Sequence, residues 1–136
     1  MTFTPAACST ILRFLKDTKS NAEDYDAIYT GDLGTVGSEL LIQLAQKEGY
    51  DISKNHKDFG KMIYDINKQD VHAGGSGCGC SASMMASYIM NQMQNRKLKN
   101  ILYCATGALL SPTSVLQGES IPAICHLVNI RVIEEN

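Results

Sequence analysis

The segment 72–82, HAGGSGCGCSA, constrains this chain more than any other stretch. Gly74, Gly75, Gly77 and Gly79 fall within it and lead into a run with helical patterning. Backbone with so few Cβ atoms belongs in a turn where main chain approaches a neighbour or a ligand closely. Ser81 is placed to cap the helix that follows, which the pattern extends to about residue 97. Ala82, Met85, Ala86, Ile89, Met90 and Met93 form its expected buried stripe. A glycine turn at a helix amino end can present N–H groups to an anion or a carboxylate. A tight packing loop accounts for the same residues. It is not a phosphate loop of the Gly-x-x-x-x-Gly-Lys type, and it lacks the preceding strand and following acid of a dinucleotide fingerprint.

Around this turn the chain reads as alternating helices and strands. Thr4-Pro5 resembles a helix start, and Ala7, Ile11, Leu12 and Leu15 continue at helical spacing, so a helix is expected over 5–19. A short strand follows over 25–30. Asp32 stands in the turn Gly31-Asp32-Leu33-Gly34 at its end. Thr35 is a candidate cap for a helix with Leu40, Leu41, Leu44 and Ala45 on its apolar face, and Gly49 suits the position just past its end. Segment 50–68 is undecided, with one short element expected over 62–64. Strands are expected over 101–105 and 123–133, pairing as a hairpin across a loop at 110–122. The reading is an α/β domain spanning 1–136, with helices on a small mixed sheet of about three strands. Three strands are few for three helices, so the chain reads as the latter part of a larger α/β domain.

Composition narrows the function classes. Twelve basic and fourteen acidic residues give a net charge of −2, and Arg96, Lys97 and Lys99 form the densest basic group. A phosphate-tracking nucleic-acid surface is therefore not expected. No apolar run reaches the ~20 residues of a membrane span, and the opening MTFTPAACST does not read as a signal peptide. Five cysteines, an odd number, argue for reduced thiols.

Several residues could carry chemistry. Cys78 and Cys80 form a Cys-x-Cys pair at a helix amino end, where a thiol can become acidic. Zinc would need two further ligands, and no second pair has metal-ligand spacing, so no metal and no cofactor is expected. His72 could serve Cys78 as a base, although a surface loop histidine is the commoner case. His126 alternates with buried positions, and His56 receives no role. Asp32, Cys104 and Thr106 lie at strand ends, where α/β sheets commonly bind ligands. Ser111, Thr113, Ser114 and Gln117 add neutral polar groups from the following loop.

The order of HAGGSGCGCSASMMASYIM, ILYCATGALLSPTSVLQGESIP and AICHLV, preceded by YTGDLGTVGSELL, resembles the C-terminal part of the stage V sporulation protein AD family. That family belongs to the thiolase-like superfamily. The resemblance implies the C-terminal part of a thiolase-like fold, incomplete within these residues. Gly31-Asp32-Leu33-Gly34 stands in the slot of the superfamily's Asn-Glu-Ala-Phe motif, without its Asn. The superfamily's catalytic His would fall near Cys78, where no His stands. Cys104 matches its acid–base cysteine, but the nucleophilic cysteine lies in an N-terminal half outside this sequence. The resemblance thus implies a non-catalytic protein. It would bind dipicolinic acid, with or without calcium, during sporulation and germination. Asp32, Gly77, Cys78, Gly79, Cys80, Cys104, Thr106 and Ser111 would be the ligand-binding candidates. It also implies a peripheral position on the cytoplasmic side of the spore inner membrane, beside membrane-spanning partners. An open sheet edge would favour homo-oligomers. The alternatives are a degenerate acyltransferase using Cys78 or Cys104, or a structural fragment without a ligand site.

Overall fold

In the computed structural model, residues 3–108 and 111–133 are described. Helix α1 (Phe3–Thr18) opens them, followed by strand β1 (Ala27–Thr30), helix α2 (Gly34–Lys47), strand β2 (His56–Asp58) and the single-turn helix α3 (Phe59–Met62). Beyond the glycine segment come α4 (Cys80–Met84), a π-helical turn (Met85–Ile89) and α5 (Met90–Gln94). Strand β3 (Asn100–Ala108), helix α6 (Pro112–Leu116) and strand β4 (Ala123–Arg131) complete the order.

The sheet runs β2-β1-β3-β4. It has four strands among the described residues, not about three. β1 pairs in parallel with both β2 and β3, and β3 pairs antiparallel with β4 as the expected hairpin. The unforeseen strand is β2, His-Lys-Asp. It has no apolar alternation, and what makes it a strand is the register Ile28↔His56 and Thr30↔Asp58 at the sheet edge.

Strand alternation divides the core into two layers. Ile28, Leu102 and Cys104 face Ile11, Leu15, Leu41 and Ala45 of α1 and α2. Ala27, Tyr29 and Ile101 face Phe59, Cys80, Met84, Ile89 and Met93. β1 is therefore buried on both faces along its whole length, as central parallel strands are. On the second layer Phe59 stacks between Tyr29 and Tyr103, with ring centroids 5.1 and 5.6 Å away.

Three expected helix starts are corrected. α1 already includes Phe3, and Thr4 is a buried contact to α2, its hydroxyl 3.5 Å from the Gly37 carbonyl, rather than a cap. α2 begins at Gly34, so Thr35 lies inside it and caps nothing. α4 begins at Cys80 with Gly79 in the cap position, ahead of Ser81. Gly49 does follow α2 with φ +85°.

The expected stripe after the glycines is also corrected. Cys80, Met84, Ile89 and Met93 are buried, Met85 is half-buried, and Ala82, Ala86 and Met90 are exposed. A regular helix would carry the stripe from Met84 to residue 87 or 88. The π turn inserts one extra residue and rotates Ile89 back onto the sheet. The loop expected over 110–122 contains α6, capped by Ser111; Leu110 lies outside the described residues.

Candidate functional site

The parallel pair β1 and β3 ends with Thr30 beside Cys104, so the turn after β1 lies against the last residues of β3. Asp32 sits in that turn and joins three elements. Its Oδ1 accepts from the Thr106 hydroxyl at 3.0 Å, and its Oδ2 accepts from the Ser76 hydroxyl at 2.9 Å and the Gly77 amide at 3.3 Å. Asp32 therefore ties the glycine segment to the carboxyl end of the sheet.

Close main-chain approach fixes the other side of that segment. The Gly75 amide donates to the Gly60 carbonyl at 2.7 Å. A Cβ on Gly60 would stand 2.4 Å from the Gly75 carbonyl oxygen, and one on Gly74 2.5 Å from that of Gly60. Gly74 also has φ +124°. Backbone thus meets backbone across α3, and glycine is required there by space. The Thr35 amide holds the preceding residue through the Ala73 carbonyl at 2.7 Å. Gly60→Ala is expected to cost about 1–3 kcal/mol as an overpacking change. It should also loosen the segment 72–79, seen as faster limited proteolysis there. Unchanged urea midpoint and proteolysis would contradict this fit.

Between these anchors lies a cleft of about 520 Å³, lined by Asp32, Ser76, Gly77, Cys78, Tyr103 and Thr106 among others. Of the eight expected ligand residues, Asp32, Gly77, Cys78 and Thr106 meet there. The other four do not line it. Gly79 lies just ahead of α4. Cys80 is buried with its thiol 3.8 Å from the Gly31 carbonyl; burial, helped by Asp32 and Asp58, pushes its pKa up. Cys104 is fully buried in the α1–α2 layer. Its pKa is driven well up by its thiol hydrogen bond with Cys125 and by burial. Ser111 accepts from the Ser114 amide and caps α6.

The anion-cradle reading of the glycines is narrowed. The Gly77 amide is held by Asp32 and the Cys80 amide by the Gly77 carbonyl. The amides of Cys78 and Gly79 have no partner among the described residues. Cys78 is the exposed cysteine of the five. His72, exposed, pairs with Asp70 at 3.1 Å, and neither it nor His126 lines the cleft. Among the described residues no cluster of three metal-ligating side chains occurs.

Sequence reasoning missed a second cluster. Asp58, 2% exposed, accepts from the Thr30 hydroxyl at 2.6 Å, the Leu33 and Gly34 amides at 2.9 Å and the Lys61 amide at 3.3 Å. His56 Nε2 lies 3.0 Å from the same Thr30 oxygen. Burial, with Lys61 adding, lowers the His56 pKa to about 4. The sequence signal available was slight: His56 and Asp58 at i and i+2, on one side of a strand that nothing else marked.

Comparison with known proteins agrees with the motifs. The family model of Stage V sporulation protein AD matches residues 1–131. Stage V sporulation protein AD of Bacillus subtilis (strain 168) is 47% identical over 122 residues, which cover 90% of this chain and 36% of that protein. The chain thus spans about a third of the length of this curated relative.

Proposed function

Because the chain belongs to the Stage V sporulation protein AD family, and with it to the proteins of sporulation, we propose that it contributes a binding surface for dipicolinic acid, with or without calcium, and performs no catalysis of its own. The observation that supports this is the cleft joining Asp32, Gly77, Cys78 and Thr106 at the carboxyl end of β1 and β3. Its volume suits a small rigid aromatic ligand. Tyr103 offers a ring, Thr106 and Ser76 hydroxyls, and Cys78 and Gly79 unpartnered amides toward a carboxylate. The Asp32 carboxylate opposes a dicarboxylate directly. Its three hydrogen bonds make it the cleft's scaffold, and any contact with ligand would run through a calcium ion. No histidine lines the cleft to activate Cys78, which favours binding over acyl transfer.

No helix among the described residues is long and apolar enough to cross a membrane. Under this proposal the chain works at the cytoplasmic side of the spore inner membrane through membrane-spanning partners. The thiolase-like ancestry belongs to the same reading, as does self-association through an edge strand. β4 is the candidate edge: it is nine residues long, and Ile124 and Val128 are about half exposed.

Calorimetric titration of dipicolinic acid into the 136-residue chain, with and without calcium, tests the proposal. Saturable binding is expected, weakened about tenfold or more by Cys78→Phe, which fills the cleft from an exposed position. Absence of binding by the folded chain, or equal binding by the variant, would refute a site in this cleft.

A further inference from the structure

A second cleft, of about 380 Å³, lies where α2 faces β2 and α3, and its lining shares no residue with the first. Ser38, Glu39, His56, Lys57, Asp58 and Lys61 supply its polar lining. We propose that this cleft is a binding site for a phosphate-class oxyanion that carries a proton.

Three observations converge on that chemistry. The first is Ser38, which is 2% exposed, and whose hydroxyl has no hydrogen-bond partner among the described residues. A buried hydroxyl without a partner is costly, and a bound acceptor would satisfy it. The second is Lys61, whose charge His56 feels. It is exposed and has no ion-pair partner among the described residues. Of the carboxylates in the lining, Asp58 already accepts four hydrogen bonds from the protein, and Glu39 is exposed to water.

The third observation selects the protonated form. Thr30 has one hydroxyl hydrogen, and the 2.6 Å contact directs it to Asp58. Its oxygen then accepts from His56 Nε2–H at 3.0 Å. A neutral imidazole that donates from Nε2 carries a bare lone pair on Nδ1. That nitrogen has no partner among the described residues. A monoprotonated phosphate matches the set: its oxygens accept from Ser38 and the Lys61 ammonium, and its P–OH donates to Nδ1. The cleft volume is several times the ~30 Å³ share of one water, ample for such a group. The low His56 pKa, set first by burial and then by the Lys61 charge, places that ammonium close enough to the ring for one anion to meet both.

The test is a histidine NMR titration of the full chain in a buffer without phosphate, with inorganic phosphate as the probe. His56 is assigned through the His56→Gln variant. Saturating phosphate is expected to raise the His56 pKa by about one unit, since a nearby opposite charge favours the protonated ring. His72 and His126 should stay unmoved. Ser38→Ala and Lys61→Met are each expected to weaken phosphate binding about tenfold, with folding checked by circular dichroism. Sulfate, which has no proton to offer Nδ1 at neutral pH, should bind several-fold more weakly. An unmoved His56, an equal shift in the variants, or an equal response to sulfate or to chloride at matched ionic strength would overturn the proposal.

Discussion

Replacing Asp58 with alanine is expected to lower the unfolding free energy by about 3–5 kcal/mol, a large share of the roughly 5–15 kcal/mol of an ordinary domain. The size follows from what the carboxylate holds. α2 has no side-chain cap of its own, because Leu33 occupies the cap position. Asp58 supplies the missing acceptor from a neighbouring strand, taking the Leu33 and Gly34 amides at 2.9 Å. The same carboxylate caps α3 through the Lys61 amide and fixes the Thr30 hydroxyl at the end of β1. Truncation leaves four donors short of an acceptor, and a buried donor without a partner costs about 1–3 kcal/mol. It also removes a negative charge from the positive end of the α2 dipole. Asp58→Asn keeps the shape but turns an amide NH₂ toward those donors, so it should fall between alanine and the parent. Urea unfolding of the three proteins decides the matter. A loss below about 1 kcal/mol for alanine would mean that water or Thr30 replaces the carboxylate, and that the caps are not set from β2.

What the sequence made legible, and what it hid, follows from the same network. α1 was readable because Ala7, Ile11 and Leu15 recur every four residues and are buried. β3 and β4 were readable as a hairpin from their apolar content. β2 was not, since His56, Lys57 and Asp58 form a strand through pairing with β1 and through hydrogen bonds made after the fold closes. No local pattern encodes that. The stripe after the glycines failed for another reason. Periodicity reasoning assumes 3.6 residues per turn, and the π turn at Met85–Ile89 breaks it, exposing Ala82 and Ala86. α6 has a readable start in Ser111-Pro112, a cap followed by proline at the first helical position, but at five residues it is too short to show a periodic stripe. At the candidate site, strand ends and glycines point to Asp32, Gly77, Cys78 and Thr106, which meet in one cleft. They could not separate these from Cys80 and Cys104. The fold sends those two thiols into the core, and sequence gives a cysteine the same letter whether it is buried or in a cleft.

The second large effect is a pH dependence centred on His56. Its pKa falls from 6.5 to about 4 on folding, chiefly because burial disfavours the imidazolium and secondarily because Lys61 repels it. The unfolded chain therefore binds the His56 proton more tightly than the folded chain does. Stability from this residue is complete above pH 6.5 and is lost as pH falls toward 4. The change amounts to about 3 kcal/mol at most across that window, at 1.36 kcal/mol per unit. Asp58 acts with the opposite sign. Burial raises its carboxyl pKa against the pull of its hydrogen bonds, so its contribution declines as pH rises through the folded value. The two groups share Thr30, and in the parent protein's pH profile their opposite contributions partly cancel. His56→Gln separates them, because it removes the histidine titration and leaves Asp58 with its four donors. Urea unfolding at pH 7, 6, 5 and 4 should show the parent losing about 2–3 kcal/mol more than the variant. Parallel profiles would mean that His56 stays solvated and readily protonated. The tautomer argument that leaves Nδ1 free for a ligand would then lose its basis as well.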